Sequence, residues 1–297
     1  MKSKDKRSTK QKYEESFYSS LLTRCCITKS GVEIVKRIVV VGANGNMGRT
    51  VVKMIAQKQD FELVGAVDVT RVGEDIHQIL GLDAPTIRID KELPSLLEAV
   101  KPDLVIDFTN PEVVADNIQV VVEQGIDMIV GTTGISEEEL VETRKLSQGQ
   151  NSIIMAPNFA IGAVLMMQFA KKAVKFMKNV EIIELHHNRK AESPSGTAVK
   201  TAELIGEVLS EDKGDVEELE KITGVRGGEM NGVNIHSVRL PGFVSHQEVI
   251  FGGLGQTLTI RFDSISRESF MPGLELAINR IDEIEGVVYG VENLIDI

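Results

Sequence analysis

Cysteine is almost absent from this chain: Cys25 and Cys26 are the only two in 297 residues, and they are adjacent. Neighbouring thiols build no disulfide framework, and no CxxC or Cys/His spacing offers a zinc site, so no metal is expected. A reducing, cytoplasmic setting fits. No run of about 18 apolar residues occurs, which argues against a membrane span. The best candidate, residues 161–177, is interrupted by Gln168, Lys171, Lys172 and Lys175. Positive charge is short too, with 33 Lys and Arg against 44 Asp and Glu and a formal net charge of -11, so no nucleic-acid partner is expected. Internal repeats and low-complexity linkers are missing.

What is present is ordinary for a globular chain, 42% apolar and 26% charged, and long enough for one large or two smaller domains. Residues 1–35 stand apart. Their first part is dense in Lys, Arg and Ser, without a hydrophobic period or a signal-peptide core. They are expected to form a disordered or weakly helical extension. Asp5, Glu14, Glu15 and Glu33 disfavour an organelle address, which stays the alternative.

From Arg37 the chain alternates. Residues 38–41 are a β-branched apolar run that predicts a strand buried on both faces. A helix over 47–57, a strand over 62–67 ending at Asp68, and a strand over 104–108 follow. Pro111 opens a helix running to Gln124. A strand at 128–130, a helix capped by the Ser136/Glu139 spacing, and a strand at 152–155 complete the series. This pattern predicts an α/β fold with a doubly wound parallel sheet. After Phe159 the pattern changes. A helix over 161–177 precedes strands at 180–187, 233–240, 248–251 and 256–262, a mixed or antiparallel sheet in a second α+β domain. The acidic stretch 210–220 reads as loop or helix, and a last helix falls near 271–282.

Two constellations carry chemistry. The first is Gly42, Ala43, Asn44, Gly45, Asn46, Met47 and Gly48 between the first strand and its helix. The spacing G-x-x-G-x-x-G is a variant of the dinucleotide fingerprint, in which glycines allow a tight turn, a close approach to pyrophosphate and packing of helix on sheet. The helix N-terminus then faces the anion. Alone the pattern is also that of a tight turn. Asp68, twenty residues after Gly48 at a strand end, suits the adenosine ribose, though a plain turn residue there is the alternative. Asp68 favours NADH, and Arg71 beside it suits the extra phosphate of NADPH, so either cofactor is open. The loops Gly131, Thr132, Thr133, Gly134 and Ala156, Pro157, Asn158, Phe159 end further strands, where ligands bind in open sheets.

The second is the segment from Glu184 to Ala198. A strand ends in His186 and His187, Lys190 follows, and Pro194, Ser195, Gly196 and Thr197 open a helix. The helix start offers N–H groups and hydroxyls to a carboxylate, and Lys190 and His187 add charge and a donor. Histidine exchanges a proton near neutrality, which suits His186 to acid–base work. Surface histidines, a solvated Arg189/Lys190 face and a simple helix cap are the alternatives.

The segment resembles the signature H-H-x-x-K-x-D-A-P-S-G-T-A of the 4-hydroxy-tetrahydrodipicolinate reductase (dihydrodipicolinate reductase) family. His186, His187, Lys190, Pro194, Ser195, Gly196, Thr197 and Ala198 match, while Glu192 and Ser193 replace Asp and Ala. The glycine loop, the two later loops and the stretch around His236, His246 and Gln247 are similar as well, over residues 37–296. The resemblance implies a Rossmann domain at 36–159, joined by 268–297, and a substrate and oligomerisation domain at 160–267 that forms a homotetramer. It implies NADH or NADPH as cofactor and a cyclic imine dicarboxylate as substrate. It also implies His186 as proton donor with Lys190, and His187, Gly196 and Thr197, with Ser195 alongside, as substrate contacts. Closure about hinges near Phe159 and Arg267 would bring the two halves together. Another Rossmann amino-acid dehydrogenase, or a non-catalytic NAD(P)H sensor, are the competing readings. A thioester-forming semialdehyde dehydrogenase is disfavoured, because both cysteines lie in the extension.

Overall fold

A strand that is apolar on both sides needs cover on both sides, and β1 (Lys36–Val41) has it. Ile38 and Val40 belong to one core cluster, Val39 and Val41 to the other, and all four are buried. The structure, a computed structural model, describes residues 35–132, 134–147, 149–209 and 219–295. The expectations for residues 1–34, Thr133 and 210–218 lie outside these.

From β1 the chain runs through α1 (Asn46–Ala56), β2 (Phe61–Val67), α2 (Ile76–Leu80), β3 (Ile89–Asp90), α3 (Leu93–Val100) and β4 (Leu104–Asp107). It continues through α4 (Pro111–Glu123), β5 (Asp127–Val130), α5 (Glu137–Ser147) and β6 (Ile153–Met155). The local signals explain these bounds. Asn110 caps α4 by accepting from Glu112 N–H, and Pro111 begins it. At α5 the Ser136 N–H donates to the Glu139 carboxylate at 2.7 Å and Glu139 N–H to Ser136 Oγ at 3.2 Å, a reciprocal capping box.

The next part comprises α6 (Ile161–Ala173), β7 (Asn179–His186), α7 (Gly196–Gly206), β8 (Gly228–Met230), β9 (Val233–Arg239), β10 (Ser245–Gly253) and β11 (Gln256–Ser264). They form a five-stranded sheet in the order β11-β10-β7-β9-β8, mixed because β7 runs parallel to β9 and antiparallel to β10. The helix α6 stops four residues short of the expected end at 177. Val174 is the last side chain it buries, and Phe176 is exposed.

The chain then returns through α8 (Met271–Arg280) to β12 (Val287–Tyr289), which pairs parallel with β6. The first sheet therefore has seven parallel strands in the order β12-β6-β5-β4-β1-β2-β3. It is doubly wound and of Rossmann type, and its order reverses between β1 and β4, where such sheets open a ligand crevice. Lys36 ties the returning segment down by donating to Asp282 at 2.8 Å. No helix among the described residues is long and apolar enough to cross a membrane.

Candidate active site

At the switch point the backbone closes on itself. Gly42 follows β1 with φ 74°, and a Cβ there would meet the Phe108 carbonyl at 2.7 Å. A Cβ on Gly48 would meet the Gly42 carbonyl at 2.1 Å, so α1 packs onto the loop only as glycine. Gly45 is the N-cap of α1, makes no side-chain cap, and no acidic residue stands in the first turn. The first N–H groups of α1 are thus left for an anion, which fits a dinucleotide pyrophosphate. Asn44 N–H donates to Asp68 Oδ2 at 2.9 Å, and Thr70 holds Oδ1 through its N–H and hydroxyl. Asp68 therefore braces the glycine loop at the end of β2. Arg71 pairs with Glu74 at 2.7 Å. Arg49 donates to both the Asn44 carbonyl and its side chain, a second brace that the glycine pattern did not reveal.

A cavity of about 320 Å³ opens beside this loop. Met47, Gly131, Thr132, Pro157 and Phe159 wall it with Phe108, Thr109 and Phe270. Beneath it lies Asp107, the last residue of β4, with no exposed surface. Its carboxylate accepts from Thr109 N–H at 2.8 Å, Thr109 Oγ1 at 2.6 Å, Asn117 Nδ2 at 2.8 Å and Thr132 Oγ1 at 3.3 Å. Burial pushes its pKa up, against the pull of those donors.

The smaller cavity, about 40 Å³, is walled by Asn158, His186, Ser195, Thr197, Ser245 and His246 among others, and shares Phe270 with the larger one. Strand β7 delivers His186. Its buried face reads Val180, Ile182, Glu184, His186, apolar where the strand begins and polar where it ends. His186 Nδ1 faces Glu184 within hydrogen-bonding distance, and Nε2 lies 3.0 Å from Ser245 Oγ. Glu184 also takes both terminal nitrogens of Arg239, at 2.9 and 2.7 Å. Burial raises the Glu184 pKa, but bonds from His186, Arg239 and Ser237 overcome it and hold the group at about 2.

Ser195 is buried and caps α7 by accepting from Ala198 N–H at 3.2 Å. Gly196 opens that helix with nothing near its missing Cβ. Lys190 and His187 line neither cavity. Lys190 pairs with Glu192 at 3.6 Å, and His187 Nδ1 accepts from Arg189 N–H at 3.2 Å. Of the glycine loop, only Met47 reaches the larger cavity, and Asn158 belongs to the smaller one.

Both halves match family models. Residues 36–159 match "Dihydrodipicolinate reductase, N-terminus" and residues 162–295 match "Dihydrodipicolinate reductase, C-terminus". The chain belongs to the dihydrodipicolinate reductase family. The 4-hydroxy-tetrahydrodipicolinate reductase of Listeria monocytogenes serotype 4b is 47% identical over 262 residues, 88% of this chain and all of that protein. The enzyme of that name from Desulfitobacterium hafniense is 48% identical over 263 residues, 88% of this chain and 98% of that protein. Among solved structures, the dipicolinate-bound dihydrodipicolinate reductase from Paenisporosarcina sp. TG-14 is 40% identical. It superposes with a TM-score of 0.80, over 88% of this chain and all of that one.

For a member of this family, the residues missed by sequence reasoning are instructive. Glu184 had a signal: it stands two before His186 on a strand and so shares its face. Asp107 lay inside the strand expected over 104–108 and proves to be its last residue. Arg239 lay in the stretch around His236 that resembles the family but was given no role, and only the pairing of β7 with β9 sets it opposite His186; Phe270 gave no signal.

Proposed function

We propose that this dihydrodipicolinate reductase family member reduces 4-hydroxy-tetrahydrodipicolinate to tetrahydrodipicolinate, for lysine and diaminopimelate biosynthesis, with a reduced nicotinamide nucleotide as electron donor. The observation that carries this reading is the sharing of Phe270 between a cavity at the switch point of the parallel sheet and one walled by His186, Ser195 and Thr197. The names of the relatives, and the dipicolinate in the solved one, support the substrate class.

In this reading Gly42, Ala43, Asn44, Gly45, Asn46 and Met47 hold the pyrophosphate, and Asp68 the adenosine ribose. Gly131, Thr132, Thr133, Ala156, Pro157, Asn158 and Phe159 receive the nicotinamide side. Arg71 is committed to Glu74, which supports NADH as the better donor over NADPH. The 4-hydroxy ring first loses water, and the nicotinamide, when bound, would supply a hydride to the conjugated system that remains. The chain's own residues bind, orient and protonate. Lys190, His187 and the backbone amides of Ser195, Gly196 and Thr197 hold the two carboxylates. Glu184 keeps the His186 imidazole in place, and His186 gives up a proton from Nε2 as charge develops on the ring. A cavity of about 40 Å³ admits little more than a water, so the ring enters when the walls part near Phe159 and Phe270.

The proposed nucleotide unit is 36–159 with 268–297, supported by the pairing of β12 with β6. The substrate unit is 160–267, and 1–35 is an extension of neither. A homotetramer built through the second sheet, and a cytoplasmic setting, belong to the same proposal and rest on the family. The test is the absorbance of the reduced nicotinamide, with substrate made in situ from pyruvate and aspartate semialdehyde by the preceding synthase. Loss of absorbance that needs both protein and substrate is expected, faster with NADH than NADPH. No loss with folded, nucleotide-binding protein would favour a sensor or another substrate.

A further inference from the structure

The proton step needs His186 but does not by itself account for the ionic floor beneath it. Burying a carboxylate is costly unless it is paired and hydrogen-bonded. Glu184 has no exposed surface and meets that need three ways, through His186, Arg239 and Ser237. Arg239 does more than neutralise it. Its second terminal nitrogen also donates to the Glu192 carbonyl at 2.7 Å, in the loop that carries Lys190.

We infer that Glu184 and Arg239 are the positioning pair of this site: Glu184 fixes the His186 ring so that Nε2 is the atom turned to the cavity, and Arg239 pins the Lys190 loop to the same carboxylate. The inference rests on the reading of His186 as proton donor.

The chemistry follows from what each group can do. A carboxylate only accepts, so Nδ1 of His186 keeps its proton in both charge states. Nε2 is then the atom that loses and regains one, 3.0 Å from Ser245 Oγ in the cavity wall. The charged and titratable groups shown at the ring and its carboxylate are Glu184 from β7, Arg239 from β9, and His246 from β10, which shares the cavity wall. Glu184 touches the ring directly, and Arg239 stands beyond it on the far side of the carboxylate. The planar fork of Arg239 reaches the carboxylate with two nitrogens and a carbonyl besides, which a lysine cannot do.

The test is kinetics across pH, with nucleotide binding measured alongside, for E184Q, R239K and H186Q. E184Q is expected to lower kcat about 10–100-fold, the usual cost of losing the group behind a working histidine. Its kcat–pH profile should differ from that of the unsubstituted protein, because the ring loses its charged partner. R239K is expected to raise KM for the imine about tenfold, as the loop loses its anchor, with nucleotide affinity unchanged in both. A crippled H186Q beside an E184Q with unaltered kcat and profile would overturn the pair. Unaltered kcat in H186Q would instead remove the proton-donor reading. Nitrogen NMR of histidine-labelled, unsubstituted protein decides the geometry without any variant: the neutral His186 ring should carry its proton on Nδ1, and a proton on Nε2 would overturn the inference.

Discussion

Two carboxylates with no exposed surface stand near the carboxyl ends of strands, one in each sheet, and the protein treats them in opposite ways. Asp107 is surrounded by neutral donors, Thr109, Thr132 and Asn117, and burial pushes its pKa up. Glu184 lies between Arg239 and His186, and its pKa stays at about 2. The first arrangement is a frame: Thr109 and Thr132 wall the larger cavity, and Asp107 holds both of them through its carboxylate. The second is an ion pair that holds the His186 ring. One fold thus uses the same group as a rigid brace in one place and as an electrostatic one in another, and the choice is made by neighbours rather than by burial.

The comparison breaks first at the histidine. His186→Gln should lower kcat roughly 10²–10⁴-fold while leaving nucleotide affinity intact, read by steady-state kinetics and nucleotide fluorescence; an equal fall in both would undo the division of labour. Next, Glu184→Ala strands the Arg239 charge and should cost about 3–5 kcal/mol of stability. Asp107→Asn, which keeps the shape and can accept from Thr109 while the Asn117 amide turns over, should stay within about 1 kcal/mol. Denaturant melts of both variants check the contrast, and similar losses would contradict it. On the nucleotide side, Gly48→Ala forces a Cβ against the Gly42 carbonyl, so nucleotide affinity should fall about 10–100-fold by calorimetry, with the β7 site unaffected.

Acid sharpens the contrast, with opposite signs. The Glu184 pKa falls from 4.5 to about 2 on folding, so its stabilisation is present above 4.5 and is lost as pH drops toward 2. The Asp107 pKa rises from 3.8, so its favourable contribution is complete below 3.8 and is lost as pH climbs through the folded value. The stability gap between the unsubstituted protein and Glu184→Gln should therefore shrink in acid, and that for Asp107→Asn should widen in favour of the aspartate. Smallest of all, Glu192→Asp should shift stability by less than about 1 kcal/mol, because its pair with Lys190 is exposed at the Glu192 end.

Much of this was legible from residues alone. Parallel strands buried on both faces read as short apolar runs, so β1, β4, β5 and β6 fell where expected, and Ser136 with Glu139 announced α5. The stretch from Ile76 to Val100 was not read, because a helix of five residues and a strand of two leave no period to detect. The edge strand β12 hid between Gly286 and Gly290, whose positive φ angles of 75° and 94° make the tail look like turns. At the site, His186, Ser195 and Thr197 wall one cavity together, and Asn158 stands with them rather than with the glycine loop, which the sequence did not indicate. Arg239 escaped because its partner Glu184 lies on another strand, and strand register is not written locally; Asp107 escaped because Asn117 and Thr132 reach it from a helix and a loop distant in sequence.

The proposed hydride transfer runs from a nicotinamide held by the parallel sheet to the imine ring held beside His186. It is tested most directly with reduced nicotinamide deuterated at both positions of its hydride-bearing carbon, followed by mass spectrometry of the product. Tetrahydrodipicolinate carrying one deuterium from the cofactor is the expected result, and product without the label, or nucleotide bound but never oxidised, would contradict the account.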